Sequence, residues 1–176
     1  MRPVGASRRC DPSAVRSTDH PTLRRGTRRF PANVYSTTNH ASMARSTRIL
    51  FVAGEVAPFT EITEISGLTR SLPEALQEVG DYDARLMMPR YGTISERKHN
   101  LHEVIRLSGT PVPMGDEDDE VTVKVASIPD TRVQVYFMDH EEYFGRDAVY
   151  RNEDGDAFDD NPRRAAFFNR AVIETV

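Results

Sequence analysis

A run of five apolar residues, Ile49 to Ala53, is the feature that most constrains how this 176-residue chain can fold. An uninterrupted run of β-branched, leucine and aromatic side chains is typical of a strand covered on both faces, and it predicts a strand over residues 48–54. Residues 64–79 predict a helix, because apolar residues recur at helical spacing and Gly80 follows as a C-terminal cap. The stripe that we expect to dock on the sheet consists of Ile65, Leu68, Leu72, Leu76 and Val79.

A second strand is predicted over residues 82–88, which completes a strand–helix–strand unit. Ligands in open α/β sheets bind at the carboxyl ends of the strands, so we expect a site in the loop over residues 54–64. Pro73 falls inside the helical pattern, where a proline removes a backbone donor. We expect a helix kinked at Pro73, since the apolar spacing continues across it. The alternative is a later start, with Ser71 as N-cap and Glu74 completing a capping box.

The second half of the chain mixes strands, turns and one further helix. Residues 101–107 predict a strand, and residues 115–120 predict an acidic loop. Alternating valines predict an antiparallel hairpin of strands 121–125 and 133–137, with Pro129 and Asp130 in its turn. Tyr143 and Phe144 lie in a predicted turn. A loop over residues 151–161 leads to a helix from Asn161, capped by Asp160 or Asn161 and with Pro162 at its first position.

The two ends of the chain differ in charge. Residues 1–42 contain eight arginines against two aspartates, a net of +6, and no sustained apolar period, so we expect a disordered basic extension. Three origins remain open: a transit peptide, a nucleic-acid-binding arm, and an upstream extension from a misassigned start codon. The last is favoured, because Met43 stands just before the first strand.

Residues 43–176 form the predicted folded domain, with 15 basic and 25 acidic residues, a net of −10. That charge argues against nucleic acid as a partner, since phosphate binding needs clustered lysine and arginine. A single cysteine, Cys10, excludes an intramolecular disulfide. No apolar run reaches the roughly 18 residues of a membrane span, and we expect a cytoplasmic protein.

Familiar catalytic motifs are missing from the sequence. No glycine-rich dinucleotide motif, P-loop or nucleophile elbow follows a strand. Residues 152–156 alternate like a calcium loop, but Ala157 and Arg163 stand where that loop requires glycine and glutamate. His99 with His102, and His140 with its acidic neighbours, lack a third ligand at a diagnostic spacing. We therefore expect surface polar residues at these places, with no metal and no cofactor.

The loop over residues 57–67 is the remaining candidate. It precedes a predicted helix, and the unpaired backbone donors and dipole of a helix N-terminus favour an anion. Glu61 and Glu64 oppose that, because their carboxylates already occupy the favourable field and would repel a phosphate. The residues alone thus predict a positioned but acidic loop.

Segments 49–59, 71–76, 88–92, 135–144 and 160–168 follow one another in order along the chain. They resemble segments of bacterial glycogen synthases and plastid starch synthases, and the resemblance covers about residues 46–176. The resemblance implies a GT-B architecture, in which this chain is an incomplete, Rossmann-like N-terminal α/β domain with an antiparallel hairpin. It also implies transfer of glucose from ADP-glucose to the non-reducing end of an α-1,4-glucan, with retention of configuration.

One departure from the family concerns the loop that meets the donor's phosphates. The family has a Lys-Thr-Gly-Gly-Leu motif there, which falls on residues 61–65 in this chain, so a cation becomes Glu61 and two glycines become Thr63 and Glu64. Close backbone approach and charge neutralisation are both lost. By resemblance, the degenerate donor-phosphate loop consists of Glu61, Thr63, Glu64, Ser66 and Gly67.

No catalytic residue of the family can be carried over, because the corresponding positions would lie beyond Val176. We expect a fragment that cannot transfer glucose by itself, with ADP-glucose and α-glucan as the implied ligands. The alternative is a non-catalytic glucan- or partner-binding module that associates with a full-length synthase.

Overall fold

The structure is a computed structural model that describes residues 46–176, so the expectations for residues 1–42 and for Met43 lie outside the described part. The strands are β1 (Thr47–Val52), β2 (Tyr82–Pro89), β3 (His102–Glu103), β4 (Thr110–Met114), β5 (Glu117–Ser127) and β6 (Gln134–Asp139). The helices are α1 (Ile65–Val79), α2 (Glu96–His99), α3 (Glu141–Phe144) and α4 (Asn161–Thr175). In this part of the chain no helix is long and apolar enough to cross a membrane.

The strands form an open sheet in the order β1-β2-β6-β5-β3, and β4 pairs with β5 outside this path. Strands β1, β2 and β6 are mutually parallel, with Phe51 opposite Leu86 and Leu86 opposite Val135. Strand β5 runs antiparallel to β6, β3 and β4. The predicted α/β fold with an antiparallel hairpin is therefore present, and β1 lies at one edge of the sheet.

The antiparallel hairpin that the alternating valines predicted is present as β5 and β6. Val121, Val123, Val133, Val135 and Phe137 are all fully buried. The turn between the strands contains Asp130 with φ of 65°, a left-handed conformation that aspartate tolerates better than most residues. The core beneath the sheet also contains Leu86 and, from α4, Phe167.

Two predictions between residues 101 and 120 are wrong. Only His102 and Glu103 form a strand within the predicted 101–107 segment. The predicted acidic loop 115–120 is mostly the start of β5, which pairs with β4. Gly115 turns the chain with φ of 85°. Pro111 and Pro113 fit β4 because in the described chain it pairs with β5 alone, and an edge strand can leave the missing N–H on its open side.

Helix α1 runs unbroken through Pro73, so the alternative start at Ser71 is wrong. The prediction that its apolar stripe docks on the sheet is also wrong. Four of the five stripe residues, Ile65, Leu68, Leu72 and Val79, are 45–65% exposed, whereas Ser66 and Pro73 are buried. On the inner face of the helix, polar side chains donate to neighbouring backbone carbonyls: Thr69 Oγ1 to Glu55 O at 2.6 Å, and Gln77 Nε2 to Ala84 O at 2.9 Å.

Helix α4 begins at Asn161 as predicted, with Pro162 in its first turn. The predicted side-chain cap is absent. The Asp160 carboxylate accepts instead from the Arg146 guanidinium, which is the stronger, charge-assisted bond. Asn161 Oδ1 accepts from Arg164, one turn into the same helix.

Candidate functional site

The loop that links β1 to α1 lies at the carboxyl edge of the parallel strands and is organised around Glu55. This side chain is buried, and its Oε2 accepts hydrogen bonds from the backbone N–H of Ile62 at 3.0 Å and of Thr63 at 2.8 Å. The Thr63 hydroxyl also lies 3.3 Å from the same oxygen. A carboxylate of the chain itself therefore occupies two backbone donors just ahead of α1.

Thr63 completes the start of α1. Its Oγ1 accepts from the Ile65 N–H at 3.3 Å, and its carbonyl accepts from the Ser66 hydroxyl at 2.8 Å. Phe59, in the same loop, packs edge-on against Phe137 of β6 with ring centroids 5.0 Å apart. The loop is thus held at both ends, by hydrogen bonds to the helix and by an aromatic anchor in the core.

The five residues of the predicted donor-phosphate loop lie together on this loop and the first turn of α1. Glu61, Thr63, Glu64 and Gly67 are exposed, and Ser66 is buried. A Cβ added to Gly67 would meet nothing within 4 Å, so packing does not require glycine there. The carboxylates of Glu61 and Glu64 are exposed beside the donors that Glu55 fills, which gives the loop an acidic surface.

A second loop approaches the same edge and was not predicted as part of the site. Ile62, Val149, Tyr150 and Arg151 line a cavity of about 300 Å³. The Tyr150 hydroxyl lies so near the β1 end that a Cβ on Gly54 would be 2.7 Å from it. Gly54, directly after the apolar run, was the one sequence signal of this close approach.

Tyr91 extends this contact toward the core. Its hydroxyl donates to the Tyr150 hydroxyl at 3.3 Å. Burial, together with this hydrogen bond, raises the pKa of Tyr91 far above its ordinary value, so the phenol stays protonated. The hydrogen bond between the two tyrosines therefore positions the second loop against the core.

Arg164 of α4 holds the second loop from inside and was also missed by the sequence. Its side chain is 3% exposed, and its Nη1 donates to Val149 O and to Asn161 Oδ1, both at 2.7 Å. Its Nε donates to Tyr143 O. Burial lowers the pKa of Arg164, but a guanidinium stays protonated in proteins. One buried cation thus ties α4 to two segments of the chain around the site.

A charged cluster joins α2, β5 and β6 to Arg90, the residue that follows β2, near the same edge. Lys124 Nζ lies 2.6 Å from both Glu96 Oε1 and Asp139 Oδ2, and Arg90 Nη2 lies 2.6 Å from Glu96 Oε1. Hydrogen bonds from Lys124 and then Arg90 hold the pKa of Glu96 below its ordinary value. Burial lowers the pKa of Lys124, but its bonds to Asp139 and Glu96 outweigh that effect and raise it. These cations are paired within the cluster.

The possible metal ligands considered from the sequence are not clustered. Within residues 46–176, no three His, Cys, Asp or Glu side chains come together as a metal site would require. The calcium-like alternation at 152–156 forms a tight turn, in which Asn152 Oδ1 accepts from the Asp156 N–H at 2.8 Å and Gly155 has φ of 87°.

Comparison with known proteins places these features in a family. Residues 48–176 match the family described as the starch synthase catalytic domain. The chain is 40% identical over 133 residues to the glycogen synthases of Chlorobium luteolum and of Chlorobium limicola, covering 75% of this chain and 27% of each relative. The chain thus spans about a quarter of the length of these relatives.

A solved structure shows the same fold. The catalytic domain of starch synthase IV from Arabidopsis thaliana, bound to ADP and acarbose, superposes with a TM-score of 0.59 at 19% identity, covering 73% of this chain and 24% of that one. At that identity the likeness concerns the fold, which agrees with the expected GT-B glycosyltransferase domain. Residues 48–176 of this chain therefore belong to the starch synthase catalytic domain family.

Proposed function

We propose that this chain is part of an α-glucan glucosyltransferase that uses ADP-glucose as donor and an α-1,4-glucan as acceptor, and that it does not catalyse transfer by itself. The family match over residues 48–176 is the observation that carries the proposal. The Arabidopsis starch synthase that shares the fold is bound to ADP and acarbose. ADP is the nucleotide part of ADP-glucose, and acarbose is an oligosaccharide analogue of a glucan. A cytoplasmic location is part of the same proposal.

The expected inactivity rests on the acidic charge of the loop between β1 and α1, and on the chain spanning about a quarter of its relatives' length. Glu61 and Glu64 add negative charge where a donor's phosphates would need neutralisation. When the glucose is transferred, the departing nucleoside diphosphate must be stabilised by cations or backbone donors aimed at its oxygens. Residues 54–67 of this chain contain no lysine or arginine.

Incorporation of labelled glucose from ADP-glucose into glycogen tests the proposal directly. We expect the 176-residue chain to give counts no higher than a protein-free blank, while the Chlorobium luteolum glycogen synthase gives strong incorporation. We also expect the chain to sediment with glycogen and to be released by maltooligosaccharides. Incorporation of labelled glucose by the chain alone would refute the proposed inactivity. Failure of the chain to sediment with glycogen would refute its proposed binding to α-glucan.

A non-catalytic glucan- or partner-binding module is the second candidate. The exposed carboxylates of Glu61 and Glu64 favour it, because they stand where the family motif has a lysine and a glycine for the donor's phosphates. Such a module would associate with a full-length synthase. Co-purification of the tagged chain with an intact synthase, in the absence of glycogen, would support this candidate over the first.

A further inference from the structure

We propose that Tyr150 and Ile62 form a stacking platform for one glucose unit of an α-1,4-glucan, at the carboxyl edge of the parallel strands. The platform is the cavity of about 300 Å³ whose walls are Ile62, Val149, Tyr150 and Arg151. The inference rests on the proposed function, because α-glucan is the ligand proposed there. It adds where on this chain the glucan binds and which side chains hold it.

The ring of Tyr150 is held in place from several sides. Its hydroxyl accepts from the Tyr91 hydroxyl at 3.3 Å, and the two rings meet edge to face with centroids 6.0 Å apart. The Tyr150 carbonyl accepts from the Phe158 N–H at 3.1 Å and from Asn161 Nδ2 at 2.9 Å. Both the backbone and the end of the side chain are therefore fixed before a ligand arrives, which lowers the entropy lost on binding.

Despite these contacts, Tyr150 is 37% exposed, and Ile62 on the neighbouring loop is 51% exposed. The backbone of Ile62 is also fixed, since its N–H donates to Glu55 Oε2 at 3.0 Å. Two ordered loops thus present apolar side chains to one cavity, at the edge where open α/β sheets bind ligands. Small-molecule sites have this composition, with mostly apolar and aromatic walls and a few polar groups.

The charge around the cavity favours a neutral ligand. The two loops, residues 54–67 and 149–157, together carry six carboxylates and a single cation, Arg151. Arg151 Nη1 donates to Gly155 O at 2.7 Å, so the guanidinium is anchored to its own loop. A phosphate would meet a net negative field here, whereas sugar hydroxyls can donate to carboxylates and accept from a guanidinium.

The chemistry of a pyranose ring matches these walls. Its C–H groups form an apolar face that can pack on an aromatic ring, and its hydroxyls project around the rim. A cavity of about 300 Å³ is at the lower end of the range for small-molecule sites, which suits one sugar ring better than a nucleotide sugar. An α-1,4-glucan can place its terminal ring in the cavity while the rest of the glucan stays in solvent.

Gly54 sets the position of the platform against the end of β1. A Cβ at this residue would lie 2.7 Å from the Tyr150 hydroxyl and 3.8 Å from the Tyr91 hydroxyl. The group that would have to move is the far end of the Tyr150 side chain, so Gly54→Ala should displace the ring without unfolding the chain. Gly54 is therefore a positioning residue, and its substitution moves the ring without removing it.

Electrophoresis of the 176-residue chain through native gels that contain glycogen tests the platform, because binding to glycogen retards migration. We expect Tyr150→Ala to raise the dissociation constant for glycogen about tenfold, through loss of the stacked ring. Ile62→Ala should raise it by a smaller factor, about threefold. Tyr150→Phe, which keeps the ring, should recover most of the binding that Tyr150→Ala loses.

Gly54→Ala provides a second, independent test. It should weaken glycogen binding about fivefold, because the displaced ring no longer faces the cavity squarely. Adding Tyr150→Phe to Gly54→Ala should restore binding, since phenylalanine has no hydroxyl to meet the new Cβ. A merely structural role of Gly54 would not give this rescue, and a double variant as weak as Gly54→Ala alone would contradict the positioning role.

Tyr82→Ala is the matched control, since Tyr82 is the first residue of β2, at the opposite end of that strand from the two loops. It should leave retardation unchanged, and circular dichroism and urea midpoints of each variant separate lost binding from lost folding. Millimolar ADP should not release the chain from glycogen, because the cavity is proposed for a neutral ring.

The outcomes separate the platform from the proposed function. Equal retardation of Tyr150→Ala and the wild type would overturn the platform alone, since glycogen binding would remain. Release of the wild type by ADP would also overturn it, because the cavity would then take the donor. A wild-type chain that migrates freely in glycogen gels would refute the proposed glucan binding itself.

Discussion

Glu55 shows how one side chain can define the character of a loop. It is buried with its carboxylate directed at two backbone N–H groups rather than at a cation. Buried charge is costly unless hydrogen bonds compensate it, and here the donors of Ile62 and Thr63 provide them. The same residue that orders the loop also removes those donors from any external anion.

Replacing Glu55 by alanine should lower the free energy of unfolding by about 1–3 kcal/mol, because two partly buried N–H groups lose their acceptor. Urea denaturation of the purified chain measures the change. Glu61→Ala, an exposed carboxylate on the same loop, should change stability by no more than about 0.5 kcal/mol. Equal effects for the two variants would show that Glu55 does not organise the loop.

Helix α1 shows that an element can form as its sequence predicts and still face another way. The helix is continuous from Ile65 to Val79, yet its polar inner face contacts β2 and its apolar stripe is largely exposed.

Gly67, within the first turn of α1, has open space around it. At Gly92, by contrast, a Cβ would be 2.4 Å from Arg146 O.

Gly67→Ala should therefore stabilise the chain by about 0.5–1 kcal/mol, since alanine costs less backbone entropy in a helix than glycine. Gly92→Ala should destabilise it, because the clash is with backbone and the neighbouring segment must move. Thermal unfolding of both variants gives the comparison. A loss of stability in Gly67→Ala would contradict the open environment described for this residue.

At the scale of the whole molecule, the charged cluster links two strands, α2 and the residue after β2 through side chains far apart in sequence. Glu96 accepts from Arg90 and Lys124, and Lys124 also contacts Asp139. Because the pKa of Glu96 is lower in the folded chain than its ordinary value of 4.5, the unfolded chain takes up the proton first as the pH falls. The contribution of Glu96 to stability is thus complete above pH 4.5 and is lost as pH falls through the folded pKa.

Urea midpoints measured from pH 6 to pH 3 should fall toward the acid end, and the fall should be shallower in Glu96→Gln than in the wild type. The effect should be modest, since Glu96 is partly exposed and solvent screens its pairs. Glu64→Gln, a change to an exposed carboxylate, should leave the slope as it is. If the urea midpoint of Glu96→Gln fell with pH as steeply as that of the wild type, the charged cluster would not contribute to the pH dependence of stability.

Local patterns determined much of the architecture of this protein. The apolar run at 49–53, the alternating valines and the Asn161–Pro162 start each predicted an element that is present, because backbone period and turn chemistry act over a few residues. The family resemblance, carried by short segments in order, was confirmed by the match over residues 48–176. The donor-phosphate role of Glu61, Thr63, Glu64, Ser66 and Gly67 stays a prediction.

Tertiary contacts decided the rest. The acidic segment 117–120 became strand because β4 pairs with it. The apolar stripe of α1 faces outward, while Thr69 and Gln77 bond to backbone on the inner side of the helix. In the loop between β1 and α1, Glu55 supplies the carboxylate that accepts from Ile62 and Thr63. Tyr150 and Arg164 position the second loop beside it. These outcomes depend on groups far apart in the chain, whose pairing energies appear only once the sheet has brought them together.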